Sequence, residues 1–229
     1  MLISFNNDRE VFFMFHRHFF SFFRVFFTFS VIMLSHEATA FAGAMRSAPA
    51  VDMVKLLQSG GVSDRSEGDV NAPVVIVEYA SLTCVHCADF YNSILPEIRK
   101  KYIKTGKVRL IFRDFAFDPR ATAGFMLARC VPEDRYFPLI SVLFQKQNEW
   151  AWVQDALTPL RKIGSMAGLT DEGFDSCLQN QSILDEVNAS AERGRELGVT
   201  ATPTFFINGY KYEGLMSMDK FSSIIDSFL

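Results

Sequence analysis

A β-branched run, Val74-Val75-Ile76-Val77, continues through Glu78 and Tyr79 to Ser81-Leu82-Thr83 and then to Cys84-Val85-His86-Cys87. No other stretch of the chain restricts the fold so tightly. The run has the composition of a strand buried on both faces. The segment after Cys84 is predicted as a helix to about Lys104, closed by Gly106. Val108-Arg109-Leu110-Ile111-Phe112 then predicts a second strand. Strand, helix and strand in this order make a βαβ unit, with parallel strands and a right-handed crossover. The cysteine pair stands at the strand-to-helix junction of that unit.

The remainder of the chain extends this frame. From about Arg120 to Gly198 the apolar spacing is helical. Phe125, Leu127 and Ala128 make one stripe, Phe137, Ile140 and Phe144 another, Leu157, Leu160 and Ile163 a third, and Ile183, Val187 and Ala191 a fourth. Strands return at Thr204-Phe205-Phe206-Ile207 and Tyr210-Lys211-Tyr212, joined by Asn208-Gly209, a type I′ hairpin signal. Met218 to Phe228 closes the chain as a helix. The order βαβ, helices, ββα predicts an α/β fold whose two parts, 71–119 and 199–229, flank an all-helical insertion at 120–198. Before it, residues 43–70 read as an extension or linker. Val51 to Gln58 has two helical turns' worth of apolar residues, with Val51, Val54 and Leu56 or Leu57 on one face. Gly60 to Pro73 reads as a polar connector.

Size and composition agree with one packed domain carrying a large insertion. The chain has 229 residues, 49% hydrophobic and 21% charged, which excludes a disordered chain. A formal net charge of −3 argues against a nucleic-acid binder, which carries a basic excess.

Residues 1–42 differ from everything after them. They hold half of the chain's 24 Phe and three of its 4 His. Arg9, Arg17 and Arg24 precede an apolar run from Val25 to Leu34, and Ala40-Phe41-Ala42 fits an A-x-A cleavage site. This is the layout of a secretory signal peptide. The apolar run is about ten residues long, whereas a membrane span needs roughly 20. A cleaved leader is therefore expected; an uncleaved inner-membrane anchor and a later start at Met14 or Met33 are the alternatives. Export places the chain in an oxidising compartment, the periplasm, where disulfides are ordinary chemistry.

In that setting Cys84-Val85-His86-Cys87 has chemical content. A thiol at a helix N-terminus meets unpaired backbone N–H groups and the positive end of the helix dipole, and both favour thiolate over thiol. Each pH unit of lowering stabilises the thiolate by about 1.4 kcal/mol. This stabilisation belongs to the dithiol state, so it makes the pair more oxidising. His86 adds a further donor or positive charge. Cys84 is then the exposed nucleophile and Cys87 the resolving thiol. Half of a zinc site is a weaker reading, because only His86, Cys130 and Cys177 remain as partners after the leader. A haem motif would place His where Ala88 stands. A purely structural bridge between Cys84 and Cys87 is the third alternative. Strand–CxxC–helix is the described context of redox pairs.

A second motif, Ala201-Thr202-Pro203-Thr204, precedes the hairpin strand. Taken alone, Pro203 reads as an ordinary strand-initiating proline. Together, however, Ala72-Pro73-Val74 through Ser81, the CVHC pair, the helical stretch and Gly198 through Gly209 resemble the DsbA family of exported thiol:disulfide oxidoreductases. The resemblance covers about residues 68–229. It implies a thioredoxin-like fold with an inserted helical domain. It also implies a cis peptide bond at Pro203, with Thr202 and Pro203 presenting main-chain hydrogen bonds to an extended substrate. That is strand addition with little side-chain selectivity, suited to many unfolded clients. Turnover then needs a reoxidant, and the resemblance implies a membrane DsbB-like partner. The best-known members carry Pro where Val85 stands, so the redox potential is left open in either direction.

Glu78 lies six residues before Cys84. The family often has an acidic residue there, partly buried near the second cysteine, where it accepts the Cys87 proton; the plain alternative is a strand-end carboxylate at the surface. Cys130 and Cys177 lie on apolar faces of the helical segment. In an exported chain they are expected to form a structural disulfide, the alternative being two buried free thiols. Trp150, Trp152 and Tyr136 are expected in the core rather than on a client surface.

Other functions fit less well. With His86 the one histidine after the leader, a hydrolase with a distant histidine base is disfavoured. No phosphate-binding glycine loop is present, and no cofactor or metal is expected. A disulfide isomerase or reductase of the same fold is the nearest rival, but isomerases of that kind dimerise through a separate N-terminal domain, and Gly43 to Val70 is too short for one. A monomer is therefore expected. A dithiol metallochaperone and a client-binding holdase are the readings from other classes.

Overall fold

The computed structural model describes residues 51–58 and 62–229, so the leader assigned to residues 1–42 lies outside them. Strands β2 (Val74–Ala80) and β3 (Val108–Asp114), numbered from the edge strand β1 described below, pair in parallel, with Ile76 opposite Leu110 and Glu78 opposite Phe112. The second helix among the described residues, α2, joins them over residues 85–103. It is α-helical over Val85–Asp89 and Leu95–Ile98 and π-helical over Phe90–Ile94 and Arg99–Ile103. Pro96 accounts for the first wide turn: it has no N–H to donate, and its ring crowds the carbonyl four residues back.

The stretch read as a polar connector holds the edge strand β1 (Arg65–Glu67). It runs antiparallel to β3, with Arg65 opposite Phe112 and Glu67 opposite Leu110. Arg65-Ser66-Glu67 shows no apolar alternation. Ion pairs hold this edge: Arg99 donates from Nε to Glu67 Oε2 at 2.8 Å. Helix α1 (Met53–Leu57) buries Leu56 alone; Val54 and Leu57, expected on one inward face, are exposed.

Strand β4 (Thr204–Ile207) pairs antiparallel with β2, Glu78 opposite Phe205, and β5 (Tyr210–Glu213) with β4. The sheet order is β1-β3-β2-β4-β5. Asn208 and Gly209 both take positive φ, 45° and 86°, as a type I′ turn requires. The Asn208 side chain also accepts the Val75 N–H at 2.8 Å, fastening the turn to β2.

Alternation along the strands divides the core. Val74, Ile76, Leu110, Phe112, Phe205 and Ile207 face α2, the inserted helices and the last helix; Val77, Tyr79, Ile111 and Phe206 face the opposite side. Glu78 shares the first face. The insertion comprises α3 (Pro119–Cys130), α4 (Glu133–Gln145), α5 (Gln147–Trp150), α6 (Leu157–Met166), α7 (Asp171–Leu178) and α8 (Gln181–Glu196). Asp118 starts α3, its Oδ1 accepting from Arg120 N at 2.9 Å and Ala121 N at 3.0 Å. Phe125, Tyr136, Ile140, Phe144, Trp150 and Phe174 are buried, while Trp152 and Leu157 stand exposed.

Three ties bind this layer to itself and to the sheet. Cys130 and Cys177 are bonded, S–S 1.99 Å, linking the end of α3 to α7. Buried Asp114, at the end of β3, accepts from Arg129 Nε at 2.6 Å and Tyr136 OH at 3.1 Å. Gly194 lets α8 lie on the far face of the sheet: a Cβ there would come within 2.8 Å of the Phe115 ring. The closing helix α9 (Met218–Asp226) buries Phe221, Ile224 and Ile225, and its Asp226 accepts from Tyr102 OH of α2 at 2.8 Å. Among the described residues no helix is long and apolar enough to cross a membrane.

Candidate active site

Cys84 occupies the N-cap of α2. Its backbone is extended, φ −80° and ψ 121°, and its N–H donates to Ser81 O at 3.1 Å. The sulfur is thereby left beside the first free N–H groups of the helix. The Cys87 thiol, the Thr202 side chain and the backbone N–H groups of Cys87 and His86 all hydrogen-bond the sulfur, outweighing its partial burial and lowering its pKa to about 6. A cysteine at that value is about nine-tenths thiolate at pH 7. In the thiol form Cys84 Sγ lies 3.3 Å from Thr202 O. Cys84 and Cys87 stand as free thiols, Cys84 half-buried and Cys87 buried.

Cys87 has the opposite character. Burial first, then the bond and charge of Cys84 and the charge of Glu78, push its thiol upward. The pair thus divides into a sulfur that ionises easily and one that keeps its proton. Glu78 is fully buried rather than at the surface. Neither carboxylate oxygen has a hydrogen-bond partner. Burial raises its pKa well above the usual carboxylate range; Arg99 opposes this, while Cys84 and Glu67 add to it.

Thr202 and Pro203 meet the pair from the far end of β4. The Thr202–Pro203 bond is cis. Pro203 O accepts from Gly214 N at 2.8 Å, and Thr204 Oγ1 donates to Ala201 O at 2.7 Å, so the loop is bonded on both sides of the proline. The His86 imidazole points outward, 68% exposed, with Nδ1 3.5 Å from Asp89 Oδ2. What His86 presents to the Cys84 sulfur is its backbone N–H. Cys130 and Cys177 belong to the insertion and take no part in this cluster.

Two partners of the site carry no clear mark in the sequence. Buried Gln147, from α5, donates from Nε2 to Leu82 O at 2.7 Å and to Cys84 O at 3.0 Å. No local pattern distinguishes Gln147 from its neighbours. Asp118 accepts from Thr83 Oγ1 at 2.5 Å, and Thr83 lies 3.1 Å from Ser81 Oγ. Asp118-Pro119 is a readable helix start, yet its reach to the residue before Cys84 is not. A cleft of about 370 Å³, lined by Thr83, Asp118, Pro119, Arg120, Ala151 and Trp152, opens next to this point. Among the described residues no group of three or more His, Cys, Asp or Glu is arranged to hold a metal ion.

Comparison with known proteins agrees with this geometry. Residues 62–227 match the family model described as Thioredoxin. The chain is 31% identical over 198 residues to a Rickettsia conorii protein whose name marks it as a candidate protein-disulfide oxidoreductase, covering 84% of this chain and 70% of that one. It is 34% identical to the crystal structure of Wolbachia pipientis α-DsbA1, with a TM-score of 0.68, over 72% of this chain and 90% of that one. Oxidised BdbD of Bacillus subtilis, 20% identical with a TM-score of 0.66 over 72% of this chain and 92% of that one, shares the fold.

Proposed function

Because the chain belongs to the DsbA-type thiol:disulfide oxidoreductases of the thioredoxin family, we propose that it is an exported dithiol oxidase acting on folding client proteins. The reading is carried by the asymmetry of the pair: hydrogen bonds lower the Cys84 pKa to about 6, while burial pushes the Cys87 thiol and the neighbouring Glu78 carboxyl upward. A stable thiolate favours the reduced enzyme, and an enzyme that prefers to be reduced gives its disulfide away.

The reaction runs in two displacements. A client thiolate attacks Cys84 Sγ in the oxidised pair; the Cys84–Cys87 bond breaks and the leaving Cys87 sulfur takes the Glu78 proton. A second client thiolate attacks the client sulfur of the mixed disulfide. Cys84 leaves as its stabilised thiolate, and the client carries the new bond. The cis-proline loop of Thr202 and Pro203 receives the extended client beside Cys84, Thr202 presenting the main-chain hydrogen bonds and Pro203 shaping the loop. His86 contributes its N–H at the helix start, and Cys130–Cys177 holds the insertion. In this reading the active chain, freed of residues 1–42, is a periplasmic monomer reoxidised by a membrane DsbB-like partner. Residues 71–119 and 199–229 form the thioredoxin-like part and 120–198 the inserted part.

The deciding measurement is the potential of Cys84–Cys87 in glutathione buffers. A value toward about −120 mV, the strong-oxidant end, supports the oxidase; one near about −270 mV reassigns the chain to a reductase or isomerase of the same fold.

A further inference from the structure

Glu78 is sealed inside the protein, yet the chemistry proposed above requires its proton to come and go. One face of the sheet connects it to the outside. Phe112 is the register neighbour of Glu78 on β3, and Arg65 of β1 lies opposite Phe112 in turn. The Tyr91 ring packs 5.6 Å from the Phe112 ring, and the Tyr91 hydroxyl, like both Glu78 oxygens, is buried without a partner. Arg99 Cζ lies 5.9 Å from the centre of the same Tyr91 ring. Its guanidinium grips Glu67 with two hydrogen bonds, 2.8 Å and 2.5 Å. That ion pair is the partly solvated end of the series, its side chains 24% and 19% exposed.

We infer that Glu67 and Arg99 are positioning residues for the proton step at Cys87, acting through Glu78 from the β1 edge of the sheet. The inference rests on the dithiol–disulfide reading above. The charged and titratable groups near Glu78 can be named element by element. From α2 come Cys84, Cys87, Tyr91 and Arg99, and from β1 come Glu67 and Arg65. From β3 comes Asp114, which is occupied by Arg129 and Tyr136. β4 offers apolar Phe205. Among these, Arg99 favours the carboxylate, while Glu67 opposes it and ties up the guanidinium. The two halves of one ion pair therefore act on Glu78 with opposite signs. This gives the inference its readout: losing either half of the pair weakens the fold in the same direction, whereas the titration of the proton step should move in opposite directions.

The test uses the reduced, processed chain and 5,5′-dithiobis(2-nitrobenzoate), an aromatic disulfide. Cys84 thiolate attacks this reagent, releasing one thionitrobenzoate anion and leaving the other on Cys84. Cys87 then passes its proton to the Glu78 carboxylate and attacks Cys84 Sγ. The Cys84–Cys87 bond forms and the second thionitrobenzoate leaves with its electron pair. The rate of that second release, followed against pH, reports the Cys87–Glu78 pair as a coupled unit.

Arg99→Met is expected to move the inflection alkaline by about one pH unit, which is about a tenfold slower second release below it. Glu67→Gln is expected to move it acid by about half a pH unit. Arg99→Lys should restore most of the wild-type position. Inflections that stay in place in both variants, or move the same way, overturn the inference; should Arg99→Met fail to fold, the acid shift of Glu67→Gln decides alone. If the wild-type chain releases one thionitrobenzoate and never the second, the oxidoreductase mechanism itself fails, a result separate from the other two.

Discussion

Glu78 and Asp114 are both fully buried carboxylates, on adjacent strands and on the same face of the sheet. Burial raises the pKa of each. Their surroundings then diverge. Asp114 accepts from Arg129 and Tyr136, and Arg129 goes on to Glu186 of α8 at 3.1 Å. Glu78 accepts from nothing. The first carboxylate is a fastening between sheet and insertion, and its charge is compensated where it lies. The second accepts no hydrogen bond, and burial, aided by the charges of Cys84 and Glu67, favours its protonated form against the pull of Arg99; in the mechanism proposed above that proton serves Cys87. Buried acids of equal depth thus serve different ends according to whether donors were supplied.

The most damaging way to test that contrast is to remove the compensated acid. Asp114→Asn strips the Arg129 guanidinium of its buried anion and leaves it only the partly exposed Glu186, and a loss of about 3 kcal/mol in urea denaturation is expected. A loss below about 1 kcal/mol would mean that the pair is not a fastening at all.

The next effect compares the two redox states. The Cys84 pKa is depressed to about 6 in the fold, below that of an unfolded cysteine. Its contribution to the reduced form is therefore complete above the unfolded pKa and is lost as pH falls through about 6. The reduced chain should exceed the oxidised one in stability by about 2 kcal/mol near pH 8, after allowance for screening at a half-buried sulfur, and the margin should close near pH 5. A margin independent of pH would contradict the assigned thiolate.

Glu78→Leu gives the smaller, opposite change to Asp114→Asn. A gain of about 1–2 kcal/mol is expected at neutral pH, because an unpartnered polar group is removed. The Glu78 pKa is raised in the fold, so what the residue contributes is present below its unfolded pKa and lost as pH rises through the folded value. The gain on substitution should then be larger at pH 8 than at pH 4. Cys87 attack should slow by at least about tenfold. The mildest test is Gln147→Leu, which strips two hydrogen bonds from the carbonyls of Leu82 and Cys84. About 1 kcal/mol of destabilisation is expected, together with a raised Cys84 pKa in ultraviolet titration. An unchanged titration would limit Gln147 to packing.

Much of this site is legible where neighbours in sequence are also neighbours in space. Val74 to Val77, the CVHC pair at the helix start and the Asn208-Gly209 turn follow from local geometry and appear in the structure at those positions. β1 is not legible: Arg65-Ser66-Glu67 is polar throughout, and its strand character comes from pairing with residues more than forty positions away. The same holds for Gln147 on Cys84 O and Arg99 on Glu67, separated by 63 and 32 positions. The position of Glu78 near the end of its strand is plain from the sequence, but its full burial without a hydrogen-bond partner depends on residues distant in sequence, among them Phe112 and Phe205 on the neighbouring strands. Alternation along α1 misleads for a related reason, since five residues form too short a helix to bury a whole stripe.

The hold of Gln147 on the peptide groups around Thr83 has a mechanical corollary. Any strain that lifts the inserted helices away from the sheet must tug on the carbonyl of the reactive cysteine before it breaks apolar packing farther off. Sulfur reactivity would then register the seating of the whole helical layer, as a gauge registers tension in the cable to which it is clamped.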